Sequence, residues 1–175
     1  MSLIETLLKE SIYKLSDKDM KYILDNAKGF NERSEAEEFL NYKLSNVFPD
    51  GVVFNTDSVW LYRIIFLSNS NNLNENGFGE HWTAIPDNID DEHWVELIRD
   101  TTNNYHDKIE IVLIAEFDIK NIDVEHTLAN NVRYPNEDEF TLYSKNINPK
   151  QAYIVNRKKF NYKNPLQSKG IKKIK

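Results

Sequence analysis

Apolar positions recur at helical spacing through the first third of the chain. Leu3, Ile4, Leu7, Leu8, Ile12 and Leu15 fall on one face, with Glu5 and Lys9 set as an i,i+4 pair. Ser16 followed by Asp19 reads as a cap opening a short helix through Met20, Ile23 and Leu24, and Gly29 is placed to end it. Ser34 with Glu37 reads as a capping box ahead of an apolar face of Ala36, Phe39, Leu40 and Leu44. Phe48-Pro49-Asp50-Gly51 then predicts a turn.

Beyond Gly51 the period changes. Val59 to Leu67 is nearly continuous in branched and aromatic residues, the pattern of a strand buried on both faces. Asn, Ser and Gly fill Ser68 to Gly79, which predicts a loop, and Gly79 to Ala84 reads as a short strand. Ile89 to Asp100 has helical spacing through Trp94, Leu97 and Ile98. Lys108 to Ile119 is the clearest strand pattern in the chain. Asn130 to Asn136 reads as a loop, and strands follow over Asp138 to Tyr143 and Gln151 to Val155. The fold class is therefore α+β: a helical lobe over residues 1–50, then a mostly antiparallel sheet over 51–155 with one or two interrupting helices, then a basic tail over 156–175.

At 175 residues the chain is sized for a single domain. Its 12% aromatic content is too high for a disordered chain, and no apolar run approaches the ~18 residues a membrane span needs. The early acids and missing small-residue cleavage site at the N-terminus predict no signal peptide and a cytoplasmic location. With no cysteine, disulfides, thiolate metal sites and cysteine nucleophiles are excluded. The net charge of -6 hides an asymmetry. Eight basic residues and no acid lie between Asn156 and Lys175, leaving 14 basic against 28 acidic residues, a net of −14, before them. That tail reads either as a solvated end that aids solubility or as an arm that seeks phosphates.

Three places look chemically out of step with their surroundings. Arg63 sits midway along an apolar strand. A guanidinium cannot shed its charge there, so it needs a carboxylate, carbonyls or a bound anion. Gly77-Phe78-Gly79-Glu80-His81-Trp82-Thr83 couples flexible backbone to hydrogen-bonding side chains, but it lacks the Gly-Lys-Ser/Thr ending of a phosphate loop. Glu137-Asp138-Glu139 opens a late strand, where i and i+2 alternation would aim Glu137 and Glu139 the same way. Paired carboxylates repel unless a cation or a working partner uses them. His81, His93 and His106 lack ligand spacing, so no zinc site is expected, and no Ser stands in a nucleophile-elbow context.

Leu61-Tyr62-Arg63, then Gly79-Glu80-His81-Trp82-Thr83, then Glu137-Asp138-Glu139-Phe140-Thr141-Leu142 occur in the order that resembles the Arg–Ser–Glu class of NAD-dependent mono-ADP-ribosyltransferases. The resemblance covers roughly residues 58–155. Where the family has Ser-x-Thr/Ser, His81 takes the first position and Thr83 keeps the second hydroxyl. The resemblance implies an ADP-ribosyltransferase-type sheet with NAD as substrate and no metal. It implies that Glu139 holds the ribose 2′-hydroxyl and that Arg63, with Tyr62 and Gly79 beside it, holds the NAD phosphates or ribose. His81, Trp82 and Thr83 would brace the nicotinamide end and orient Glu139, while Glu137 would bind or deprotonate the acceptor, as a catalytic residue, and Tyr134 would face it. The acceptor would be protein arginine or nucleic acid, and the setting an intracellular bacterial or phage toxin, as in toxin–antitoxin or anti-phage systems, with a neutralising antitoxin as partner. Two other readings stand beside it. One is a non-catalytic nucleic-acid or partner-binding module acting through the tail. The other is a metal-dependent nuclease using Glu110, Glu116 and Asp118 with Glu137 and Glu139.

Overall fold

A computed structural model describes residues 15–45, 47, 51–55, 57–85, 90, 92–94, 109–135 and 138–175. The helix expected over Leu3 to Leu15 and most of the one expected over Ile89 to Asp100 lie outside these residues. So do Asn136 and Glu137.

The centre of the fold is an antiparallel sheet built on the two strands whose apolar runs were longest. Strand β2 (Ser58–Phe66) and β4 (Glu110–Asp118) pair along their whole lengths, from Ser58↔Asp118 to Phe66↔Glu110. The short strand β1 (Phe54–Asn55) folds back on the start of β2. β3 (His81–Thr83) joins the same edge of β2 as β1, away from β4, and β5 (Glu139–Thr141) pairs with β3. On the far side β6 (Gln151–Asn156) pairs with β4, and β7 (Lys172–Lys173) with β6. The order across the sheet is β5-β3-β2-β4-β6-β7.

Alternation along β2 divides the core. Val59, Leu61 and Ile65 join Leu113, Ala115, Phe117, Trp82 and Phe140 on the face covered by helices. Trp60, Tyr62 and Ile64 join Val112, Ile114 and Val155 on the other, roofed by Trp94 and by Phe160 and Ile171 from the C-terminal segment. Phe160 stacks on Trp94 at 4.6 Å, and Tyr62 meets both rings edge-on. Burial on both sides explains why β2 and β4 carry no polar alternation.

The helical layer is α1 (Asp17–Asp25), α2 (Arg33–Ser45) and α5 (Val124–Arg133). Ser16 caps α1 as its spacing predicted, its hydroxyl accepting from the Asp19 N–H at 3.1 Å. The predicted capping box of α2 is displaced: the helix begins at Arg33, so Ser34 already sits inside its first turn. Two further expectations are corrected. The stretch read as a loop over 68–79 contains two single-turn helices, α3 (Leu67–Ser70) and α4 (Leu73–Asn76), held by burial of Leu73. Asn130 to Arg133, also read as loop, form the last turn of α5, whose Val124, Leu128 and Val132 bury against the sheet.

Asp123 caps α5, one carboxylate oxygen accepting from the His126 N–H at 3.1 Å. Replacing Asp123 with Ala is expected to cost about 1 kcal/mol, read as a lower denaturant midpoint at unchanged m-value. The basic C-terminal segment is folded against the sheet: Ser168 is buried, and β7 lies in register with Tyr153 and Ile154. Among the described residues, no helix is long and apolar enough to cross a membrane.

Candidate active site

The edge formed by β3 and β5 gathers polar side chains that neither strand would bury alone. Register places Tyr62, Thr83 and Glu139 in one row across β2, β3 and β5, with His81 and Thr141 paired in the next. Cross-strand partners share a face, so His81, Thr83, Glu139 and Thr141 face the same way, while Trp82 and Phe140 between them enter the helix-covered core.

Glu139 is the focus. Its side chain is only 16% exposed. One oxygen, Oε1, receives three partners: His81 Nδ1, the Asn130 Nδ2 of α5 at 3.0 Å, and the Thr141 hydroxyl at 2.9 Å. Asn130 also donates to the Thr141 Oγ1 at 2.9 Å, closing a small network. Asn131 fixes the backbone beneath, donating to the Glu139 carbonyl at 2.8 Å. Among the described residues, Oε2 takes no part in these bonds. Burial pushes the Glu139 carboxyl up, but the hydrogen bond and charge of His81, with Thr141 and Asn130, outweigh it and hold the group below its usual range. Glu139 is therefore a carboxylate at neutral pH.

His81 is the complementary half of this pair. The hydrogen bond to Glu139 raises its pKa above the ordinary imidazole value, with Glu80, whose Oε1 lies 3.4 Å from His81 Nε2, adding to the rise. A raised histidine stabilises the fold fully below the unfolded pKa of about 6.5 and loses that contribution as pH climbs through the higher folded value. The lowered Glu139 acts in the opposite direction: its contribution is present above about 4.3 and is lost as pH falls through the depressed value. The melting temperature of the native protein should therefore exceed that of His81→Gln most between about pH 5 and 6.5. The gap should narrow at alkaline pH, which a pH series of thermal melts will read.

The lead into β5 is held from the helical lobe. Asp138, at φ 41°, sits in the left-handed region, so strand alternation begins only at Glu139. Its carboxylate pairs at 2.5 Å with the buried Lys43 of α2, and its carbonyl accepts the Thr83 hydroxyl at 3.1 Å. Thr83 is thus a buried brace under the start of β5. The expectation that Glu137 and Glu139 project together falls on Glu137, outside the described residues. Tyr134 closes α5, half-exposed, with the Arg133 guanidinium 5.4 Å from its ring.

The other residues marked in the sequence fall elsewhere. Arg63 alternates to the opposite face of β2 from Tyr62, and its guanidinium lies against Gly79 and donates to the Phe78 carbonyl at 3.3 Å. It lines a cleft of about 230 Å³ together with Asn69, Asn72, Asn76, Gly77 and Lys145. Its charge is still felt at His81. Trp82 is buried in the core, its ring edge-on to Phe117 at 4.9 Å and its indole N–H donating to the Gly79 carbonyl at 3.0 Å. Tyr62 is buried beneath Trp94 and Phe160, and burial raises its phenol so that it stays neutral.

The acids of β4 are engaged in the sheet. Glu116 is buried, and Ser58, Asn55 and Gln151 bond its carboxylate. Asp118 pairs with Lys150 at 2.8 Å, and Arg157 Nε approaches Glu110 at 3.4 Å. Among the described residues, no group of three or more His, Asp or Glu is placed to hold a metal ion. Asn130 and Asn131 escaped the sequence reading because asparagine signals loop. The Asp123 cap, with Val124, Leu128 and Val132 at helical spacing, was the signal that marked the helix carrying them.

No protein-family model, curated protein or solved structure matches the chain.

Proposed function

We propose that the protein is a mono-ADP-ribosyltransferase that moves ADP-ribose from NAD to a macromolecular acceptor and releases nicotinamide. The observation that carries this reading is the setting of Glu139: a largely buried carboxyl group with Oε1 bonded by His81, Asn130 and Thr141 and, among the described residues, no bond to Oε2. Breaking the bond between C1′ of the ribose and the nicotinamide nitrogen sends the electron pair onto an already cationic ring, so the leaving group needs no proton. The barrier is the oxocarbenium-like ribose. A fixed carboxylate accepting from the ribose 2′-hydroxyl stabilises that charge as it develops. A nucleophile of the acceptor then bonds C1′ and gives up its proton to water or to the carboxylate that the resemblance assigns there, Glu137.

In this reading His81, Asn130 and Thr141 keep Glu139 charged and pointed, so no reorganisation is needed as the bond breaks. Arg63 lines a cleft with the Gly77–Gly79 turn, on the face of β2 opposite the row that carries Glu139, and the resemblance alone assigns it to the NAD phosphates. Glu137 and Tyr134 are assigned to the acceptor side by the resemblance alone. Nicotinamide release from NAD, measured with and without cell lysate, tests the proposal. Turnover by the native protein that is lost on removing the Glu139 carboxylate supports it. Absence of turnover in both, with no rise in melting temperature on adding NAD, overturns it.

A further inference from the structure

The charge asymmetry of the chain becomes a surface in the folded protein. Lys158, Lys159, Lys163, Lys169, Lys172, Lys173 and Lys175 are all exposed. None stands within ion-pair distance of a carboxylate among the described residues, whereas Lys21, Lys43, Lys120 and Lys150 each have an acidic partner.

These lysines are fixed to a scaffold. Lys172 and Lys173 form the edge strand β7. Asn161 N–H bonds the buried Ser168 hydroxyl at 2.9 Å, closing the loop between them and β6. The stem of Lys159 comes within 3.8 Å of where a side chain would begin at Gly170, which brings Lys158 and Lys159 beside Lys169 and Lys172. A charged cluster that is already ordered loses less entropy on binding than a free arm would.

We infer that this C-terminal edge is a docking surface for the phosphate backbone of a nucleic acid. Unpaired lysines bind a polyanion by releasing its condensed counterions, and they make no demand on base sequence. The rest of the chain, net −14, repels the same polyanion and confines contact to this edge. A narrow nucleic acid can meet the edge alone, whereas a flat anionic membrane would also face the acidic body. Leu166, 46% exposed, is the one large apolar side chain exposed in this segment, too little for an interfacial anchor.

The placement relative to Glu139 adds a consequence. Glu139, Thr83, Tyr62, Ile114, Tyr153 and Lys173 form one row across six strands. The basic edge and the carboxylate thus lie at opposite ends of the same row, roughly 24 Å apart at about 4.8 Å per strand. The binding inference itself does not rest on the transferase reading, because it is read without NAD.

The test is fluorescence anisotropy of a labelled DNA duplex and of single-stranded RNA, titrated with the full-length protein over a salt series. Affinity for the duplex is expected to fall with salt at a log–log slope of about −4, as for four to five phosphates neutralised. Lys158→Gln, Lys159→Gln, Lys169→Gln and Lys172→Gln together should weaken binding at least tenfold at about 0.1 M salt and flatten the slope by about 3 or more. Lys18→Gln with Lys28→Gln, exposed on the helical lobe, should leave both unchanged, and melting temperatures will verify that each variant folds. Equal loss in the lobe variant, no salt-dependent binding by the native protein, or tighter binding to phosphatidylserine vesicles than to either nucleic acid overturns the inference. Binding without nicotinamide release leaves the surface standing and removes the transferase.

Discussion

Glu139→Gln is expected to reduce nicotinamide release by a factor on the order of 10²–10³, the range seen when one preorganised group facing a developing charge is removed. The substitution keeps the shape of the side chain and an oxygen that Asn130 and Thr141 can still bond. It removes the negative charge and places an amide nitrogen, which cannot accept, at one terminus. The loss should fall on kcat, since the carboxylate interacts most strongly with the ribose once positive charge has formed there. His81→Gln should cost much less, because Asn130 and Thr141 continue to hold the carboxylate. Rates for Glu139→Gln within threefold of native, in a protein with native-like melting, would remove Glu139 from the chemistry. Loss of NAD affinity with kcat intact would make it a binding group only.

Gly79→Ala is expected to displace the Arg63 guanidinium and destabilise the fold. Gly79 has φ +94°, where an L side chain is strained, and a Cβ built there would lie 1.4 Å from Arg63 Nη1 and 2.6 Å from its Cζ. The guanidinium must leave its place over the glycine, giving up the bond to the Phe78 carbonyl. We expect a destabilisation of about 2–4 kcal/mol, or roughly 5–12 °C in Tm for a chain of this size. Gly170→Ala provides the comparison. Its φ is +77°, yet the nearest atom is 3.8 Å away, so it reports backbone strain of about 1 kcal/mol without a clash. In an Arg63→Met background the three nearest guanidinium atoms are gone, and the cost of Gly79→Ala should drop toward that of Gly170→Ala. A double-mutant cycle with a coupling energy near zero would refute the close packing of Arg63 on Gly79.

The close approach of Gly79 to Arg63 shows where reading from sequence reaches its limit. Arg63 was conspicuous because a guanidinium interrupts VWLYRIIFL, and physical chemistry alone requires that such a charge find partners. Which partners it found depended on a turn sixteen residues later, whose glycines let the backbone close over it. The same division holds at Glu139. An acidic run before an apolar triplet was visible, but the strand register that seats His81 beside Glu139, 58 residues away, was not. Asn130, in a helix that local propensity disfavours, was invisible as a partner because packing on the sheet, not propensity, forms that helix.

Long elements were settled by the chain's own pattern. Strands β2 and β4 bury both faces, so their composition is largely apolar and announces itself, and the Ser16 cap is local chemistry within three residues. The α+β class and the segregation of basic charge into the last twenty residues likewise follow from sequence alone. Tertiary structure decided everything that depends on non-local pairing. It formed three-residue β3 and β5, too short to stand without neighbours. It folded the basic end into a sheet edge, and it placed an ionised carboxylate under three donors drawn from two strands and a helix. Hydrogen bonds between strands and contacts between layers join residues tens of positions apart, and no local window of the sequence contains both partners.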